Sequence, residues 1–363
     1  MKEDSYWLHR HHTDVESLLN GISSANLPKD FQLKLLFLIA KGDIFKAIRE
    51  WVPHDYDLQF LENNESMCTI KLAREIKKGK VLSGTFNLAR HANTNVYVAI
   101  TTEKQKFVKN ALIKFFDNYY SELSRLHLTS GQIQTILDKL KAGLNCEIIT
   151  DRVISYSRLN KKKFIITGKK PRFKESDVRW TEEDYKSSFQ RAAENDKWID
   201  KISFCVQKEN KINFYASLSR DGLFKCDKNA DEFYKIIIKY LVNIGNENID
   251  IFSNKSRLEN DGNIKPIAIE YANNLFEDVE QNKRLIRIIA EFPKSSYSVY
   301  HGNPYLHTSV VDYVDGSSYD LWVVSADKII IIPQIRATFN SLSRFCEHIL
   351  KRFSEGHLAD LKI

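Results

Sequence analysis

Between Arg152 and Lys174 the sequence carries nine basic residues and no acidic one: Arg152, Arg158, Lys161, Lys162, Lys163, Lys169, Lys170, Arg172 and Lys174. Tyr156, Phe164 and Phe173 are interleaved with them. Ammonium and guanidinium groups neutralise phosphates and release the counterions condensed on a polyanion, while aromatic faces stack on unpaired bases. The combination points to contact with nucleic acid, DNA or RNA, with Tyr156 and Phe164 as the stacking groups. A solvated lysine-rich hairpin would carry similar letters, because Asn160 to Lys163 and Gly168 to Lys170 read as turns.

A second constellation is His301, His307 and Asp312, with Asp315 and Asp320 close behind. Imidazole and carboxylate ligands converging on one point would make a metal-dependent hydrolase or nuclease. Strand alternation works against convergence. In a strand starting at Leu306, His307, Ser309 and Val311 share one face, and Thr308, Val310 and Asp312 share the other. Asp200 with Glu209-Asn210-Lys211 spells a nuclease-type metal triad, but residues 207–211 read as a loop between strands. His9, His11 and His12 sit at the chain start without a cysteine partner, and Arg90-His91 follows a strand where it could meet phosphate. GxxxxGK[ST], GxGxxG, GxSxG and HExxH patterns are all missing from the sequence, so no cofactor is expected.

These residues sit in a chain of 363 residues with 43% hydrophobic and 28% charged side chains and a net charge of +7, a globular composition long enough for two or three packed units. That excess of positive charge is too small to identify a partner by itself. Five cysteines, far apart and without a CxxC pair, read as reduced, core-packed thiols of a cytoplasmic protein. The first residues lack the pattern of an export signal, and the apolar run Leu35 to Ala40 is too short to cross a bilayer.

The elements that must hold the candidate residues follow from periodicity. Phe31, Leu35, Leu38 and Ile39 read as a helix, and residues 1–55 as an N-terminal helical segment. A first block of three strands and helices covers 56–145, and the basic hairpin with a helix covers 146–200. A second strand-strand-strand-helix block covers 201–262, and a third, ending in the helix with Ile335, Phe339, Leu342, Cys346, Ile349 and Phe353, covers 263–363. Within the third block, residues 266–279 read as helix and 285–292 as strand. The fold expected is α+β, with antiparallel sheets backed by helices in repeated strand-strand-strand-helix blocks.

The function expected is a non-catalytic nucleic-acid-binding or regulatory subunit, of the kind that serves as an accessory component of a prokaryotic defence complex. The metal-dependent hydrolase and a protein-interaction scaffold are the alternatives.

Overall fold

A computed structural model describes residues 12, 14–24, 32–77, 79–119, 121–158, 163–167, 178–180, 184–209, 211–302 and 305–361. They form two compact units, one of Met1–Asn118 with Arg125–Asn246 and one of Tyr119–Ser124 with Glu247–Ile363. The class is α+β with two sheets and an N-terminal helix, Val15–Ser24.

The strands through the first unit are β1 (Leu33–Ala40), β2 (Tyr56–Asn63), β3 (Met67–Lys77), β4 (Lys80–Arg90) and β5 (Val96–Thr101). After β6 (Leu123–Arg125), where the chain returns to this unit, come β7 (Glu147–Ser157), β8 (Lys163–Thr167), β9 (Val178–Trp180), β10 (Lys197–Lys208), β11 (Lys211–Ser219) and β12 (Leu223–Cys226). The sheet runs β2-β3-β4-β5-β1-β12-β11-β10-β7-β8-β9. Its pairings are antiparallel except the short parallel pair of β8 and β9.

β1 lies mid-sheet, and all eight of its residues, Leu-Lys-Leu-Leu-Phe-Leu-Ile-Ala, are buried. A strand covered on both faces loses the polar-apolar alternation that marks a half-exposed one, and its apolar run then imitates a helix. That is why residues 33–40 form a strand where the sequence reads as helix. Phe37 packs against Phe224 at 5.2 Å and Tyr234 at 6.4 Å between ring centroids, so its face of the sheet is the one covered by the helix that begins at Ala230. Alternation then puts Lys34 on the other face.

Ser130–Leu144 buries Ile133, Ile136, Leu137 and Leu140. It begins at a capping box: Thr129 accepts from the Gln132 N–H, and the Gln132 side chain accepts from the Thr129 N–H. The helical run from Gln105 to Phe116 includes a π turn, Val108–Leu112. A Cβ on Gly84 would lie 2.9 Å from both Glu103 and Phe107, so this glycine lets the start of that run settle onto β4. Gly222, at φ 74°, makes the turn from β11 to β12 with the Leu126 carbonyl 2.6 Å from where its Cβ would stand.

In the second unit, β13 (Ile267–Glu270), β14 (Ser295–His301), β15 (His307–Asp312), β16 (Ser317–Ser325), β17 (Lys328–Pro333) and β18 (His357–Asp360) form a sheet in the order β14-β15-β16-β17-β13-β18. Phe345, on the helix Phe339–Arg352, stacks on Tyr319 and meets Phe292, each at 5.2 Å. Two expectations are corrected here. Residues 267–270 are strand, and 285–290 belong to the helix Val279–Ala290, whose buried Leu285, Ile288 and Ile289 follow helical rather than alternating spacing. The helix that closes the second block runs from Ala230 to Phe252. All five cysteines are free and buried.

Candidate nucleic-acid interface

One row of side chains crosses the sheet of the first unit. Thr101 on β5 stands opposite Lys34 on β1, and Lys34 opposite Lys225 on β12. Lys225 stands opposite Ser217 on β11, and Ser217 opposite Ser203 on β10. Ser203 stands opposite Arg152 on β7, and Arg152 opposite Thr167 on β8. Directly paired residues project from the same face, so Thr101, Lys34, Lys225, Ser217, Ser203 and Arg152 form a single polar band across the sheet.

Lys201 is two residues from Ser203 on β10 and belongs to the same face, opposite Ser219 on β11 and Ile154 on β7. Lys109, exposed on the π turn, acts electrostatically on both Lys201 and Lys225.

Like charges gathered in partial burial destabilise one another's charged forms. Burial pushes the Lys34 amine down to about 8, with Glu103 pulling upward. Lys225 is also pushed down to about 8, first by burial and then by Lys201, Lys34 and Lys109, against the pull of Asp221. Lys201 is lowered by burial, Arg152 and Lys109, while Asp221 and Asp200 raise it. Asp221 is itself shared with Arg125, 3.2 Å away, and Arg125 also holds Asp117 at 3.2 Å. Among the described residues, no carboxylate lies within ion-pair distance of Lys109, Lys201 or Lys225.

The residues singled out in the basic stretch divide between settings. Arg152 belongs to the row, half-buried. Lys163 is exposed and pairs with Tyr156, which lies four residues along β7 from Arg152 and so on the same face. Tyr156 stacks on buried Trp198 at 5.3 Å and 18° between planes, and burial raises its phenol.

Arg158 is buried, 3.4 Å from the Asp196 carboxylate and donating to the Lys197 carbonyl at 3.1 Å, so its guanidinium is engaged within the protein. Phe164 projects from the opposite face and carries the Lys197 ammonium 3.6 Å from its ring centroid. Lys161, Lys162, Lys169, Lys170, Arg172 and Lys174 lie outside the described residues.

Lys34, Lys201 and Lys225 were invisible as a group in the sequence. Each is one lysine in a strand, and 167 residues or more separate Lys34 from the others. The available signal was local: a lysine inside Leu33-Lys34-Leu35-Leu36-Phe37 and another inside Leu223-Phe224-Lys225-Cys226, where a solvated face should alternate and an apolar core should hold no charge.

The histidine-aspartate constellation has different surroundings. His307 lies between Trp322, at 3.9 Å and 20°, and Tyr300, at 4.8 Å. Asp312 is fully buried on the other face of β15, where Arg344 and the Ser341 hydroxyl donate to it. Among the described residues, no three His, Cys, Asp or Glu side chains are grouped to hold a metal ion. Glu209 occupies the turn between β10 and β11 at φ 50°. Comparison with protein-family models and with curated proteins finds no match.

Proposed function

We propose that this protein is a nucleic-acid-binding subunit that holds a single strand by its phosphates along the row from Lys34 to Arg152. The observation that carries this reading is the register itself, which brings Lys34, Lys225 and Arg152 into one band with Lys201 and Lys109 alongside. From β1 to β7 the band crosses four strand intervals, about 19 Å at the usual spacing. One small anion needs far less, whereas successive phosphates of a strand can be served along that length. The Ser203 and Ser217 hydroxyls between the cations are donors of the kind that position a sugar-phosphate backbone without reading sequence. Beyond Arg152 the same face continues to Tyr156 and exposed Lys163.

The test is fluorescence anisotropy of the full chain with labelled single-stranded DNA and RNA over a range of salt concentrations. Neutralising four phosphates on a single strand gives a log-log salt slope of about −3. The double variant Lys201→Met/Lys225→Met is expected to weaken binding about a hundredfold and to flatten the slope by about half. Wild-type protein that binds neither nucleic acid at low salt, or a double variant that binds like wild type, sinks the proposal.

A further inference from the structure

A cleft of about 610 Å³ lies in the first unit, lined by the helix Val15–Ser24, the helix from Ala230 and the turn that follows β4. Its size falls within the range of about 300–1,000 Å³ usual for small-molecule sites. Tyr234, on the helix from Ala230, lines it and stacks on Phe37, which β1 presents on the face opposite Lys34. The cleft is therefore separate from the cation row, on the other side of the sheet.

Tyr234 is only 4% exposed, and among the described residues its hydroxyl has no hydrogen-bond partner. Burial first and the Glu16 carboxylate second raise the phenol, so the group is a protonated hydroxyl that can both donate and accept. Buried hydroxyls are nearly always paired within a folded chain, and an unpaired one lining a cleft points to a ligand.

The rest of the lining is of mixed sign. Glu16 and Asn20 lie one helical turn apart on one face of Val15–Ser24, and Glu16 is close enough to Tyr234 to act on its phenol. Arg90 brings the opposite charge. Its Nε donates to the Thr94 carbonyl at 2.6 Å and its Nη2 to the Asn95 side chain at 3.0 Å, which fixes the guanidinium and leaves Nη1 for a ligand. Burial lowers the neighbouring His91 imidazole, so that ring adds a hydrogen-bonding group without a charge at neutral pH. A polyanion would meet the Glu16 carboxylate here, and a simple amine would meet Arg90. A small molecule carrying both an ammonium and a carboxylate answers both. Val15 and Ile238 give the same cleft apolar surface.

We propose that this cleft binds a free α-amino acid with an apolar side chain, its ammonium group donating to Glu16 and the Tyr234 hydroxyl and its carboxylate accepting from Arg90. Val15 and Ile238 receive the side chain. The site is independent of the nucleic-acid reading above.

Calorimetry on the full chain with free leucine, isoleucine, valine, methionine and phenylalanine tests this. At least one should bind, raise the melting temperature and lose about tenfold in affinity when its amine is acetylated or its carboxylate is converted to the amide. Tyr234→Phe deletes a hydroxyl that is unpaired in the free protein, so its melting temperature should match or exceed that of wild type while affinity for the amino acid falls about tenfold. Glu16→Gln, at an exposed position, should weaken binding to a similar extent without a change in melting temperature. Binding of none of the five, acetylated forms that bind as well as the free ones, or a Tyr234→Phe protein that melts below wild type overturns the inference.

Discussion

The two units treat buried charge in opposite ways. In the second, the Asp312 carboxylate is fully buried and answered by the Arg344 guanidinium, the Ser341 hydroxyl and the Val314 N–H. Ser341 also receives the Tyr319 hydroxyl, which closes the network on the helix Phe339–Arg352. In the first unit, Lys34 and Lys225 face each other across adjacent strands with Lys201 and Lys109 nearby, all of one sign. A satisfied charge pair explains itself as structure, tying a strand to a helix. A partly desolvated group of like charges costs stability, and on the function proposed above an anion from outside would offset that cost.

The largest effect should come from breaking the paired region. Arg344→Met leaves the Asp312 carboxylate buried without its cation and should cost about 3 kcal/mol in chemical denaturation. Adding Asp312→Leu should recover most of that loss, because an apolar pair of similar volume no longer pays for desolvated charge. If Arg344→Met alone is silent, the contrast between the units fails on this side.

The row should respond with opposite sign. Lys225→Met removes one of the mutually repelling cations, so thermal stability at neutral pH should rise by about 1 kcal/mol while oligonucleotide affinity falls about tenfold. A variant that loses both stability and binding would mean that Lys225 is a structural lysine.

Titration sharpens the same point. The folded-state values of Lys34 and Lys225, about 8, lie below the ordinary lysine value of about 10.4, so between these limits the unfolded chain holds more protons than the folded one. The contribution of these two groups to stability therefore rises with pH across that window, and the advantage of Lys225→Met over wild type should shrink as pH climbs from 8 to 10. Binding should move the other way, weakening as the ammonium groups near Asp221, Asp200 and Glu103 lose their protons. Parallel melting and anisotropy series at several pH values check both directions.

Exposed Lys163 should give the smallest effect. Lys163→Glu should reduce affinity only about threefold at moderate salt, since solvent and ions screen an exposed charge.

Much of this architecture was legible wherever local chemistry decides structure. The alternation that separates His307 from Asp312 and the buried stripe of the last helix from Phe339 to Ile349 follow from spacing alone, whereas Ile335, read as the start of that stripe, precedes the helix and is 63% exposed. β1 was not, because burial on both faces erases the period that distinguishes strand from helix. The site was legible only in part. Arg152 and Lys163 announce themselves within the basic stretch, but Lys34, Lys201 and Lys225 become neighbours only through a register joining β1, β12, β11 and β10. Cross-strand pairing over such separations leaves no mark in the composition of any one segment.

The most direct measurement is of the Lys225 amine itself, followed by nuclear magnetic resonance in protein labelled with carbon-13 lysine and assigned through Lys225→Met. The free protein should titrate there at about 8, and a saturating single-stranded oligonucleotide should move that value upward as phosphate offsets the charge of the neighbouring cations. A Lys225 that titrates like an ordinary surface lysine, and is indifferent to the oligonucleotide, would contradict the account.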